Sequence, residues 1–194
     1  MSGKTTVREP ENKYKPAPEG LHQAVCCDVW DIWTEKRPEE YGGGLVDKTR
    51  IVWQLDQQDE ETGRPYEASQ IYTASLHPKA KLRGHLESWR GKKFSDEEVR
   101  GFDIENLISV NCQIQIVHNL SKNGKTYANV QAVVPCGKTM TKLRVSEDFV
   151  RRKDRTPDQQ NNNSSSVSDD DVPFSIAALV PFLGVALFFA GMVA

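Results

Sequence analysis

Between Gly20 and Pro135 the chain alternates apolar and polar residues with a period of two and breaks that alternation once. In TRIVWQLDQQD, Ile51, Trp53 and Leu55 alternate with Val52, Gln54 and Asp56, the pattern of a strand with one buried face. HQAVCCDVWDIW sets Val25, Cys27 and Val29 against Ala24, Cys26, Trp30 and Ile32, so it reads as one long strand packed on both sides or bent around a corner. EASQIYTASL sets Gln70, Tyr72, Ala74 and Leu76 against Ile71, Thr73 and Ser75. NCQIQIVHN and KTYANVQAVV are two more strands, joined through Asn123-Gly124, a strong hairpin signal. The break falls at Pro78 to Trp89, where Ala80, Leu82, His85, Leu86 and Trp89 recur at spacings of three and four. Pro78 suits the first helical turn and Gly91 the stop. Ser95 followed by Asp96, Glu97 and Glu98 predicts a short second helical piece that ends by Gly101.

Three strands, a helix and two strands make a mainly β protein, and this order describes a five-stranded oligonucleotide-binding (OB) barrel with a helix between strands 3 and 4. Other small barrels and a generic α+β sheet are the competing folds. Composition divides the 194 residues into a polar arm (1–19), one folded domain (20–150), a disordered Asn/Ser/Asp-rich linker (151–171) and an apolar tail (172–194) expected to be helical.

Several function classes are disfavoured. The formal net charge is −2, so any basic surface must be local. Cys26, Cys27, Cys112 and Cys136 lack zinc-site spacing and read as reduced thiols in a cytoplasmic protein, the vicinal pair serving packing. His22, His77, His85 and His118 are scattered, and no nucleophile has a base at a recognisable spacing. No enzyme, metal or cofactor is expected. Gly42-Gly43-Gly44 lacks the frame of a phosphate-cradling loop.

Single-stranded nucleic acid would be held on such a barrel by stacked aromatics and cations that track the backbone. The candidate strands and loops supply Trp30, Trp33, Tyr41, Trp53, Tyr66 and Tyr72, interleaved with Lys36, Arg37, Lys48, Arg50 and Arg64. Trp53 shares a face with Ile51 and Leu55 and is assigned to the core. The expected binding set is Trp33, Tyr66, Tyr72, Lys36, Arg37, Arg50 and Arg64, joined by Lys79 and Lys81 on the cationic helix. Trp33 and Tyr66, at strand ends beside charged loops, are the leading stackers.

The runs SLHPKAKLRGHLESWRGKKFSDEEVRGFDIENL and VHNLSKNGKTYANV resemble a family of bacteriophage and prophage single-stranded-DNA-binding proteins. The resemblance covers most of Tyr14 to Pro135, and its most specific stretches are ESWRG and GKTYANV. It implies an OB fold and a role in phage DNA replication or recombination. Separately, Asp169-Asp170-Asp171-Val172-Pro173-Phe174 is similar to the acidic tip of bacterial single-stranded-DNA-binding proteins. That similarity implies recruitment of replication and recombination proteins, with the phenylalanine entering an apolar pocket and the aspartates meeting basic residues. The sequence departs from the pattern in placing twenty residues after Phe174.

Those residues, Ser175 to Ala194, carry no charge and would span about 30 Å as a helix, near the thickness of a bilayer core. Three readings of them stay open: a membrane anchor, a self-associating segment, or a helix folded back on the barrel. The expected protein is thus a non-enzymatic, homo-oligomeric single-stranded-DNA-binding protein in the host cytoplasm, with membrane association through the tail in the first reading. The alternative is a membrane-attached interaction module whose barrel binds no nucleic acid.

Overall fold

The computed structural model describes residues 15–121 and 124–156. Six strands form one antiparallel sheet: β1 (Gly20–Val29), β2 (Trp33–Lys36), β3 (Leu45–Gln58), β4 (Pro65–Thr73), β5 (Asn111–Leu120) and β6 (Thr126–Pro135). Two helices, α1 (Lys81–Arg90) and α2 (Asp96–Arg100), lie between β4 and β5 in the chain. The protein is therefore mainly β, with its helices where the change of period placed them.

β1 runs between β3 and β5, and β6 lies outside β5. Long β3 pairs with β1 and β2 in succession and with β4. The sheet is open, since no ladder among the described residues joins β4 to β6. The two outer strands nevertheless touch, and α1 packs across both.

The first strand departs from expectation. The sequence reads as one long strand from His22 to Trp33, packed on both sides or bent around a corner, whereas the chain forms β1 and β2 with Trp30–Ile32 between them, giving six strands among the described residues in place of five. Two register shifts accompany this: inside β1 Cys26 pairs with Trp53 but Asp28 pairs with Val52, a β-bulge, and at the break Val29 pairs with Ile51 but Trp33 with Lys48, so a second extra residue is accommodated between the strands. Because strand side chains alternate, one inserted residue exchanges the two faces downstream of it. Val29 consequently joins Ala24 and Cys26 in the core, while Asp28 turns to the opposite side.

The core is built from Ile51, Trp53 and Leu55 of β3, Ala68 and Tyr72 of β4, Cys112, Ile114 and Ile116 of β5, and Val130 and Val133 of β6. Leu82, Leu86 and Trp89 are the buried face of α1. The rings of Trp53 and Trp89 meet with centroids 6.0 Å apart, and Trp89 Nε1 donates to Asn111 O at 3.1 Å. Helix α1 begins at Lys81, not Pro78, because Ala80 N–H bonds back to His77 O and the preceding residues form a turn. It stops at Gly91, whose φ of +66° suits glycine and whose N–H reaches Glu87 O and Ser88 O. Ser95 and Glu98 form the reciprocal capping box of α2.

β1 is buried on both faces, and a non-strand segment explains the second. Residues 136–155 run over the outer face of the sheet as a strap. Gln23 donates to Thr141 O at 2.6 Å, Asn111 exchanges hydrogen bonds with Leu143, and Ser146 N–H donates to Gln54 Oε1 at 2.9 Å. Val25, Cys27 and Val52, buried but outside the main core cluster, lie on this strapped side. Residues 151–156, assigned by composition to the linker, continue the strap, and Ala17 of the expected arm is fully buried. The rest of the linker and the apolar tail lie outside the described residues. Among the described residues no helix is long and apolar enough to cross a membrane.

Candidate functional site

The bulge that removes Asp28 from the core also sets the face of the residues after it. Continuing the β1–β3 register, Trp30 N–H donates to Arg50 O at 2.9 Å, and Thr49 Oγ1 donates to Trp30 O at 2.7 Å. Trp33 on β2 stands directly opposite Lys48 on β3. Lys48, Arg50 and Val52 alternate with the core residues Thr49, Ile51 and Trp53, so Trp30, Trp33, Lys48 and Arg50 share the outer face.

Both outer tryptophans are half-buried, with centroids 6.1 Å apart and planes at 53°. Arg50 Cζ lies 4.2 Å from the Trp30 ring centroid, and Arg152 Cζ, from the strap, lies 4.0 Å from it. A cleft of about 280 Å³ opens here, lined by Val29, Trp30, Asp31, Arg152 and Lys153. Ile32, beside it in sequence, is 59% exposed.

Electrostatics hold the strap to this edge. Asp28 is buried and accepts from Val29 N–H at 2.9 Å, Arg151 Nε at 3.0 Å and Arg152 N–H at 2.8 Å. Arg151 also reaches Glu105 at 2.8 Å, and Lys153 lies 3.5 Å from the same carboxylate. The hydrogen bond to Glu105, then that to Asp28, pushes Arg151 further up from an already high pKa. Arg151 in turn holds Glu105 below the usual carboxylate range. Lys48 is paired with Glu35.

The expected binding residues separate into groups. Trp33 and Arg50 meet at the outer face, while Lys36 and Arg37 are exposed at the end of β2, where the chain turns into the glycine-rich loop. Arg64, in the β3–β4 loop, pairs with Asp148 of the strap at 3.2 Å. Lys79 precedes α1 and is exposed. Lys81 bonds Gln70 Oε1 and Val130 O beside the β4–β6 opening, and its burial lowers its pKa.

Tyr72 needs correction, and Tyr66 stands on the same side of β4. β4 pairs Arg50 with Ile71 and Trp53 with Ala68, so Tyr66 and Tyr72 point to the core side with Ala68. Tyr72 is 2% exposed, hydrogen-bonds His85 Nδ1 at 2.8 Å and has no free face for a base. Tyr66 is partly buried against the core cluster. Sequence reasoning assigned no binding role to Arg152 and Lys153, because averaging over residues 151–171 gave a linker. The run RRK directly after Phe149-Val150 was the available signal. Asp169 to Phe174 lie outside the described residues.

The chain matches no model of a known protein family and no curated protein at a significant level.

Chemically, the site offers aromatic faces, guanidinium groups and an open cleft. Cys26, Cys27 and Cys112 are buried free thiols that desolvation holds protonated, far from reactive thiolates. No group of His, Cys, Asp or Glu among the described residues could hold a metal ion.

Proposed function

We propose that this chain is a non-enzymatic single-stranded-DNA-binding protein that grips unpaired strands across the outer face of β1, β2 and β3. The observation that carries the reading is the grouping of Trp30, Trp33, Lys48, Arg50 and Arg152 on one face, two rings interleaved with three cations. Base stacking on an aromatic side chain is worth about 1–3 kcal/mol per base and tolerates any sequence. Two rings with neighbouring cations thus supply useful affinity on a chain of near-neutral charge.

The fold reading that accompanies this function is an OB barrel, with β1 and β2 as a bent first strand and β3 to β6 as the remaining four. Strand order supports it: β1 sits between β3 and β5, β4 and β6 approach one another, and α1 packs at that opening. On the resemblance of its sequence to phage proteins, the protein acts in phage DNA replication or recombination in the host cytoplasm. Asp169 to Phe174 recruit replication and recombination partners, and the protein works as a homo-oligomer.

A titration of the full chain with poly-deoxythymidine, beside a chain ending at Phe174, tests this reading. Binding that quenches tryptophan fluorescence and weakens steeply with salt is the expected result. No quenching and no binding at low salt overturn it. The uncharged run Ser175 to Ala194 favours a second reading, a membrane-attached module indifferent to DNA. Membrane fractionation of the full chain, combined with absent DNA binding, would establish that reading instead.

A further inference from the structure

We propose that the end of the strap is part of the strand-binding site: Arg152 and Lys153 receive a phosphodiester of the bound strand in the cleft beside Trp30, and Asp28 is the positioning residue that holds them there. The proposal rests on the reading of the chain as a single-stranded-DNA-binding protein.

The charges in this cluster are not equally committed. Arg151 is neutralised by Asp28 and Glu105, and Lys153 is partly engaged by Glu105 at 3.5 Å. Arg152 differs, because its guanidinium lies on the Trp30 ring and has no carboxylate partner among the described residues. Five N–H donors in a planar fork are thereby held at the mouth of an open cleft, suited to the two oxygens of a phosphodiester. The cleft is a surface feature open to solvent, so the backbone of a strand can pass over it. Asp31, the acidic group lining the cleft, opposes anion binding and leaves Arg152 as the principal donor.

Asp28 makes this arrangement specific. Its two oxygens accept from the Arg151 side chain and the Arg152 backbone N–H, fixing the chain on both sides of the peptide that directs Arg152 toward Trp30. The β1 bulge exists at this position and turns Asp28 toward the strap. A base stacking at Trp33, whose ring lies 6.1 Å from that of Trp30, would then have its own backbone phosphate close to a preset guanidinium.

The test uses full-length protein and poly-deoxythymidine over a range of salt, comparing wild type with Arg152→Gln, Asp28→Asn, the double variant, and Arg100→Gln as an exposed control on α2. Losing one phosphate contact reduces the slope of log affinity against log salt by about 0.7, or about fivefold in affinity for each tenfold change in salt. Arg152→Gln is expected to show that loss and Arg100→Gln to keep the wild-type slope. Asp28→Asn is expected to lower the slope as Arg152→Gln does, with no further drop in the double variant. A merely structural Asp28 would lower the melting temperature and leave the slope unchanged, which contradicts its positioning role. If wild type binds and Arg152→Gln keeps its slope, this inference falls while the DNA-binding reading stands. If wild type does not bind, both fall.

Discussion

Trp30 and Arg50 are joined twice: the Trp30 backbone N–H donates to Arg50 O at 2.9 Å, and the Arg50 guanidinium lies 4.2 Å from the Trp30 ring. The ladder bond fixes the register and the cation–π contact fixes the rotamers, so the ring is held before any ligand arrives. Such preorganisation reduces the side-chain ordering that binding would otherwise require.

The four tryptophans should divide by role. Trp30→Ala and Trp33→Ala are expected to weaken binding to poly-deoxythymidine by about 1–3 kcal/mol each with little change in unfolding midpoint. Trp53→Ala should instead lower stability by about 3–5 kcal/mol, because Trp53 is fully buried and contacts Trp89. Chemical denaturation and fluorescence titration of the same variants separate the two effects.

Acid should destabilise the fold in two stages. Burial first, then the nearby Lys81 charge, lowers His85 from 6.5 to about 4. The unfolded chain therefore binds the extra proton between about pH 6.5 and 4, and stability falls as pH drops through that window. Glu87 is lowered from 4.5 to about 2 by Lys93, Arg83 and the Phe94 N–H, and Glu98 to about 2 by the Ser95 N–H and Arg90. Their stabilisation is present above about pH 4.5 and is lost as pH falls toward 2. Unfolding midpoints across this range should show both limbs, with His85→Gln flattening the first and Glu87→Gln reducing the second.

Gly91 should tolerate alanine poorly for backbone reasons alone. A Cβ there would meet Pro135 Cγ at 3.8 Å, an ordinary contact, but φ is +66°. Gly91→Ala is expected to cost about 1–2 kcal/mol, read as a lower melting temperature with unchanged DNA affinity.

The sequence made the order of elements legible because buried strand faces and one amphipathic helix write their periods into the residues they bury. Trp53 was recognisable as core from Ile51 and Leu55, and the Ser95 cap from the acids that follow it. The bulge at Cys26/Asp28 was not legible, since alternation continues on either side of an inserted residue and only pairing with Val52 and Trp53 reveals the shift. That one residue moved Val29 into the core and Trp30 to the outer face. The burial of Tyr72 is not legible for a separate reason: its row of β4 has polar members, and burial beneath α1 and His85 is a tertiary fact. The strap is not legible because its contacts are isolated hydrogen bonds to Gln23, Asn111 and Gln54, without a period.

Ultraviolet crosslinking of the full chain to oligo-deoxythymidine, with the modified residues located by mass spectrometry, tests the central claim most directly. The account predicts crosslinks at Trp30 and Trp33 that are lost when excess unlabelled single strand competes. Specific crosslinks confined to α1 or to the β5–β6 side, with none on either outer tryptophan, would contradict it.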